Sequence, residues 1–186
     1  MRAEATIAET DSATASGTVR VWDPLVRIFH WSLLAAFVAA YISGEEWEKL
    51  HVKIGYVVIG LVAFRLIWGL IGSRHARFSD FIYHPITVAR FLRDTAAFKA
   101  KRYLGHNPAG GAMVIALLTC LSAIGATGYM MGMDAYWGAE WVEDLHKAFV
   151  TASLVLIVLH VVGVVFASLE HKENLIKSMF TGRKSR

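Results

Sequence analysis

Residues 144–168 read DLHKAFVTASLVLIVLHVVGVVFAS, and after Lys147 the run holds no Asp, Glu, Lys or Arg. As an α-helix rising 1.5 Å per residue, its uncharged part alone is about 30 Å long, the thickness of a bilayer's hydrocarbon. It therefore reads as a membrane span. It also carries two histidines, His146 and His160. Fourteen residues are about four turns, so the two imidazoles differ by roughly 40° in direction and about 21 Å in height. They share one face at two depths. An imidazole in hydrocarbon is costly unless it meets a partner or a metal, so each needs a companion from another helix.

Three further spans lie upstream, at about 26–44, 51–72 and 109–131. The first two are joined by only six residues, EEWEKL, and must be antiparallel neighbours. With 55% hydrophobic and 18% charged residues and a mean hydropathy of +0.45 over 186 residues, there is no room for a large soluble appendage. The predicted fold is an all-α integral membrane protein, a four-transmembrane-helix bundle with both termini cytoplasmic. Residues 1–18, rich in Ala, Thr, Ser and Glu, read as a disordered polar tail without a signal-peptide core. The bundle domain then covers 19–180, and 181–186 form a basic tail. The long polar stretch from Ser73 to Pro108 holds Val88, Phe91, Leu92 and Phe98 among basic residues, which predicts a short amphipathic helix on the membrane surface.

Orientation follows from Lys and Arg. Residues 1–25 hold two, the 73–108 loop seven and the tail from Glu170 five, whereas the two opposite turns hold only Lys49. Short basic loops stay inside, so the termini and the middle loop are expected in the cytoplasm. Trp22, Trp31 and Trp68 near inner ends, and Trp47, Trp137 and Trp141 near outer ends, agree with interfacial belts. The asymmetry accounts for a pI near 9.3 without a nucleic-acid partner, and the membrane lipid is the partner that the basic loop faces.

Placed by depth, His51 opens span two beside the outer start of span four, level with His146. His30 lies near the inner end of span one, level with His160. Two bis-histidine b haems stacked across the bilayer satisfy all four as axial ligands. The single cysteine, Cys120, and the lack of C-x-x-C-H exclude covalent attachment, so the haems are non-covalent. Gly55, Gly60, Gly125, Gly128 and Gly163 give room for a macrocycle, although glycines also serve ordinary helix packing. Arg65, fourteen residues after His51, falls on the same face at the inner level. Pairing with a haem propionate is preferred there over snorkelling to the surface. Lys53 is placed equally as a propionate partner at the outer level and as a surface lysine. His75, His84 and His171 have no partner at matching depth and read as interface residues. Met113, Met130, Met131 and Met133 read as packing.

The segments VRVWDPLVRIFHW (19–31), LHVKIGYVVIGLVAFRLIWGLIGSRHARF (50–78), GHNPAGGAMVIALL (105–118) and DLHKAFVTASLVLIVLHV (144–161) resemble the bacterial cytochrome b561 family. That superfamily includes the cytochrome b subunits of nickel-iron hydrogenases and formate dehydrogenases. The resemblance covers about residues 19–180. It implies a two-haem electron carrier that exchanges electrons with the quinone pool, with haem ligands at His30, His51, His146 and His160. It also suggests a quinone site beside the inner haem at His106, Asn107, Gly110 and Gly111, with His106 as proton relay. Read from the residues alone, Asn107 followed by Pro108 is equally a helix cap.

Three functions follow as expectations. The preferred one is electron transfer between quinone and an outer-face (periplasmic) partner such as a c-type cytochrome, because the compact outer turns leave little docking surface. The second is the membrane subunit of a hydrogenase- or dehydrogenase-like complex, with superoxide:quinone oxidoreduction as an enzymatic variant. A haem-free transporter of a transition metal is the third, and would need histidines clustered at one depth.

Overall fold

The computed structural model describes residues 17–185. Four helices long and apolar enough to cross a membrane are present: α1 (Pro24–Ser43), α2 (Glu48–Ile71), α4 (Pro108–Met131) and α5 (Glu140–Glu170). The shorter α3 (Pro85–Ala96) lies between α2 and α4, and α6 (Leu175–Thr181) follows α5. α1, α2, α4 and α5 begin two, three, one and four residues before the spans expected from hydropathy, and α5 ends two residues later. Its ends are polar, and an amphipathic or charged turn can continue a helix past the hydrocarbon at little cost.

All three prolines of the chain stand at helix starts. Asp23 caps α1 by accepting from the Val26 N–H at 2.9 Å, and Asn107 caps α4 by accepting from the Gly110 N–H at 2.7 Å, with Pro24 and Pro108 next in line. His84 and Pro85 open α3 in the same way, the His84 ring nitrogen accepting from the Ile86 N–H at 3.4 Å. Proline's fixed φ suits the first helical turn, and its missing N–H is one the helix would leave unbonded.

The spans pack in the order α1 on α2, α2 on α4, α4 on α5. The buried core is Val58, Val62 and Leu121, surrounded by Leu33, Ala36, Phe37 and Ile124, all from α1, α2 and α4. At the α2–α4 seam a Cβ on Gly125 would come within 2.8 Å of Ile59, so glycine sets how closely these helices approach. Among the spanning helices α5 packs extensively only on α4 and contributes nothing to this core.

Two ends of the bundle can be distinguished. The turn end carries the short connections after α1 and α4. The tail end carries the 72–107 loop and both ends of the described chain. There Thr18–Arg20 (β1) pairs antiparallel with Arg183–Ser185 (β2), Val19 opposite Lys184, whereas the expected polar tail lies almost wholly outside the described residues. Residues 1–16 lie outside the described part. The ribbon is fastened by Glu173, which accepts from Arg102 at 3.2 Å and from the Ser185 N–H at 2.9 Å. The buried Lys184 ammonium lies 3.5 Å from Glu173 and donates to the Tyr103 carbonyl at 3.1 Å. Burial raises the Glu173 carboxyl, but Arg102, Lys184 and Ser185 outweigh it and hold the group below the ordinary carboxylate range.

The predicted surface helix is α3, with Phe91 buried against the bundle and Leu92 exposed. Phe98 lies beyond its end with φ +53° and is exposed.

Candidate functional site

His51 stands in the first turn of α2, and its Nδ1 lies 2.9 Å from the Ala40 carbonyl of α1. A carbonyl only accepts, so Nδ1 carries the proton and Nε2 is left as a free lone pair. His146, in the second turn of α5, reaches the same state by another route. Its Nδ1 is 3.0 Å from the Thr127 hydroxyl, which itself donates to the Ala123 carbonyl at 2.8 Å. The hydroxyl proton is thus committed, and Thr127 accepts from His146. The two rings face each other with centres 6.2 Å apart and planes at 74°. Two imidazoles on opposite sides of one metal ion need about 2 Å from each nitrogen to the metal and about 1 Å more to each ring centre, roughly 6 Å in all. Gly128 keeps the space beside His146, since a Cβ there would come within 3.4 Å of its Cε1.

The second pair lies toward the tail end. His30 lies six residues after the start of α1, and His160 twenty after the start of α5. The His30 Nδ1 is sealed from solvent and has no hydrogen-bond partner, and its ring meets Trp31 edge-on at 5.1 Å. Among the described residues no three His, Cys, Asp or Glu converge as a bare metal site would require. At the turn end the intramembrane histidines meet as a pair, His51 with His146.

Arg65 is 3% exposed, so it does not snorkel. Its Nη2 donates to the Ala76 carbonyl at 3.1 Å, and the guanidinium lies over the Phe78 ring at 5.0 Å. Lys53 is exposed on α2. The His106 ring is held between Trp22 and Phe81, with ring centres at 4.7 and 4.4 Å. Burial, reinforced by the nearby charge of Arg65, drives this imidazole down to about 3. It is neutral at physiological pH. The Asn107 oxygen is occupied as the α4 cap, Gly110 faces that same amide, and a Cβ on Gly111 would lie 2.2 Å from the Phe81 carbonyl. Phe81 thus closes one approach to Gly111, which also lines an apolar cavity of about 500 Å³ with Ile82, Tyr83, Val88, Ala112 and Ile115.

The remaining histidines have structural surroundings. His75 pairs with Asp80 at 3.0 Å, His84 caps α3, and His171 follows the last residue of α5. Two functional neighbours escaped the sequence reading. Thr127 is one, though a Thr beside Gly128 in an apolar span was a usable signal. Asp23 is the other: besides capping α1 it accepts from Trp68 at 3.3 Å and from Ser73, tying the start of α1 to the end of α2.

The family described as prokaryotic cytochrome b561 matches residues 21–182. The chain belongs to that family. It is similar to a protein named probable Ni/Fe-hydrogenase B-type cytochrome subunit in Bradyrhizobium diazoefficiens, with 23% identity over 95% of this chain and 90% of the relative. Relatives of the same name from Rhizobium leguminosarum bv. viciae and Rhodobacter capsulatus are 22% and 19% identical, over 96% and 98% of this chain and 97% and 87% of their own. No solved structure matches significantly. This b561 chain is thus a multi-pass bacterial membrane protein of the haem b, electron-transfer class.

Proposed function

We propose that the chain holds two non-covalent b haems, one between His51 and His146 and one between His30 and His160. Through them it carries electrons between the quinone pool and an outer-face partner such as a c-type cytochrome. The observation that carries this reading is the His51–His146 pair, whose 6.2 Å separation and fixed Nδ1 partners suit two axial imidazoles. Bound haem b supplies a one-electron couple. The chain's own residues do the rest. Ala40 and Thr127 fix the ligand tautomers and increase the basicity of the free nitrogens. The stand-off of α5 from α1 and α2 leaves width for a macrocycle, and Arg65 offers a buried cation at the tail-end level for a propionate. Lys53 at the turn end has the same charge but stays in solvent. Quinone exchange is assigned to the tail end beside His30 and His160, in the region of His106, Asn107 and Gly110. The tail end is placed in the cytoplasm of the inner membrane, on the Lys and Arg asymmetry.

A second reading is favoured by the relatives' names: membrane subunit of a hydrogenase-like complex. The purified protein decides between the readings and the absence of haem. Two acid-extractable haems per chain, with a b-type spectrum and no tightly bound large subunit, support the stand-alone carrier. Stoichiometric copurification of a soluble redox enzyme supports the subunit. A colourless protein from haem-replete cells defeats both.

A further inference from the structure

We propose that Arg65 and His106 together form a carboxylate-binding pocket at the tail end that takes a propionate of the haem held by His30 and His160. The inference deepens the two-haem reading and rests on it.

Two polar atoms in this region have neither solvent nor a hydrogen-bond partner: Nη1 of Arg65 and Nδ1 of His106. Both flank the same side chain. The Arg65 guanidinium carbon is 6.0 Å from the Phe81 ring centre, and the His106 ring centre is 4.4 Å from it. Both can donate, because guanidinium keeps its proton and a neutral imidazole retains one N–H. The nearby acids are already engaged. Asp23 accepts from Val26, Trp68 and Ser73, and Asp80 pairs with His75 and Arg74. A guanidinium buried among Phe78, Phe81 and the Ala76 carbonyl thus has no contacting counter-ion, an arrangement that is costly unless an anion arrives.

The depth suits a propionate. Arg65 is six residues before the end of α2, and His30 six residues after the start of α1. The helices are antiparallel neighbours, so the two stand at one level, and the Arg65 side chain reaches from there to the 73–81 loop. A carboxylate between the bundle and this loop would neutralise Arg65 and accept from both orphaned donors. His106, buried without charge, suits a donor to an anion better than a carrier of protons.

The test uses purified full-length protein carrying Arg65→Gln, Arg65→Lys, His106→Phe and the Arg65→Gln/His106→Phe double change. The readouts are release of each haem to excess apomyoglobin and the midpoint potential of each haem. Arg65→Gln and His106→Phe should each speed release of the tail-end haem by about tenfold, and lower its potential. The turn-end haem should stay unchanged. Because both donors serve one carboxylate, the double variant should fall short of the product of the single effects, and Arg65→Lys should restore most of the potential. Unchanged release and potential in the single variants, or equal effects at both haems, overturn the pocket. If any single variant fails to fold, Arg65→Met and His106→Gln carry the same comparison. His30→Ala separates this failure from a deeper one. If that variant keeps both haems, the ligand assignment falls and the pocket with it. If it loses one while Arg65→Gln and His106→Phe behave as wild type, the pocket alone is wrong.

Discussion

The two ends of the bundle treat their histidines differently. At the turn end His51 and His146 face each other at 6.2 Å, each with its Nδ1 bonded to the protein. At the tail end His30 has no such bond. Among the described residues, five of the six side chains with a sealed and unpartnered polar atom cluster there: Arg27, His30, Trp31, Arg65 and His106. The sixth, Ser153, lies midway between His146 and His160. The turn end is finished by its own chain, whereas the tail end is arranged for polar groups that come from elsewhere. Buried polar atoms are almost always satisfied, so such a cluster calls for partners beyond the chain, water or ligand.

The strongest way to break this comparison is to remove ligands one end at a time. His51→Ala and His146→Ala should each cost the turn-end haem, and His30→Ala and His160→Ala the tail-end haem, halving haem per chain by pyridine haemochrome in every case. Residual spectra and potentials should fall into two classes by end. If His51→Ala and His30→Ala leave the same residual haem, the pairing by depth is wrong.

A smaller effect should follow from opening the clasp that covers only the tail end. Glu173→Gln leaves the buried Lys184 without its counter-charge, and should cost about 1–3 kcal/mol, seen as a lower Tm in detergent. Acid should imitate it. Glu173 titrates below its ordinary range when folded, so the stability it adds is present at neutral pH and is lost as pH falls from the unfolded value through the depressed folded one. The mutant should show a weaker fall over that interval than wild type. An equal fall would place the acid sensitivity elsewhere.

Thr127→Val probes the better-finished end. It keeps the shape of Thr127 and removes the acceptor of the His146 Nδ1–H, so turn-end haem affinity should drop about tenfold, with the tail-end haem intact. An unaltered affinity would mean that the imidazole is oriented by packing against Gly128 alone.

The smallest effect concerns the turn-end surface. Glu45, Glu46, Glu48, Asp134, Glu140 and Glu143 surround it against Lys49, with Lys147 paired to Glu143 at 2.6 Å. Exposed charges of one sign mainly speed encounter. Stopped-flow oxidation by a basic c-type cytochrome should therefore slow as salt rises, in its association rate. A rate indifferent to salt would assign these acids to solvation.

Much of this was legible in the sequence because the signals are long and periodic. Twenty apolar residues identify a span, and fourteen residues between His146 and His160 place two imidazoles on one face. The 173–185 clasp was not legible. Its parts are short and polar, and a Lys such as Lys184 announces solvent until its partners Glu173 and Tyr103 are brought from elsewhere in the chain. The His106–Gly111 turn was ambiguous for a related reason: one asparagine can cap a helix and bind a ligand with the same oxygen, and the 2.7 Å bond from the Gly110 N–H shows the cap alone. Helix arithmetic set Arg65 on α2, but its cover of Ala76 and Phe78 comes from a loop whose path no periodicity describes.

The spans are unequal, with twenty residues in α1, twenty-four in α2 and α4 and thirty-one in α5. At 1.5 Å per residue α1 is about 30 Å long and α5 about 46 Å. A thicker lipid leaflet is absorbed by α5, which already overshoots, but α1 has no helix to spare. Lengthening the acyl chains around the protein would therefore strain α1 first, pulling on Asp23 at its capped start and on the Gly44 turn at its other end. The shortest span gauges the bilayer for the whole molecule, and it is the span that carries His30.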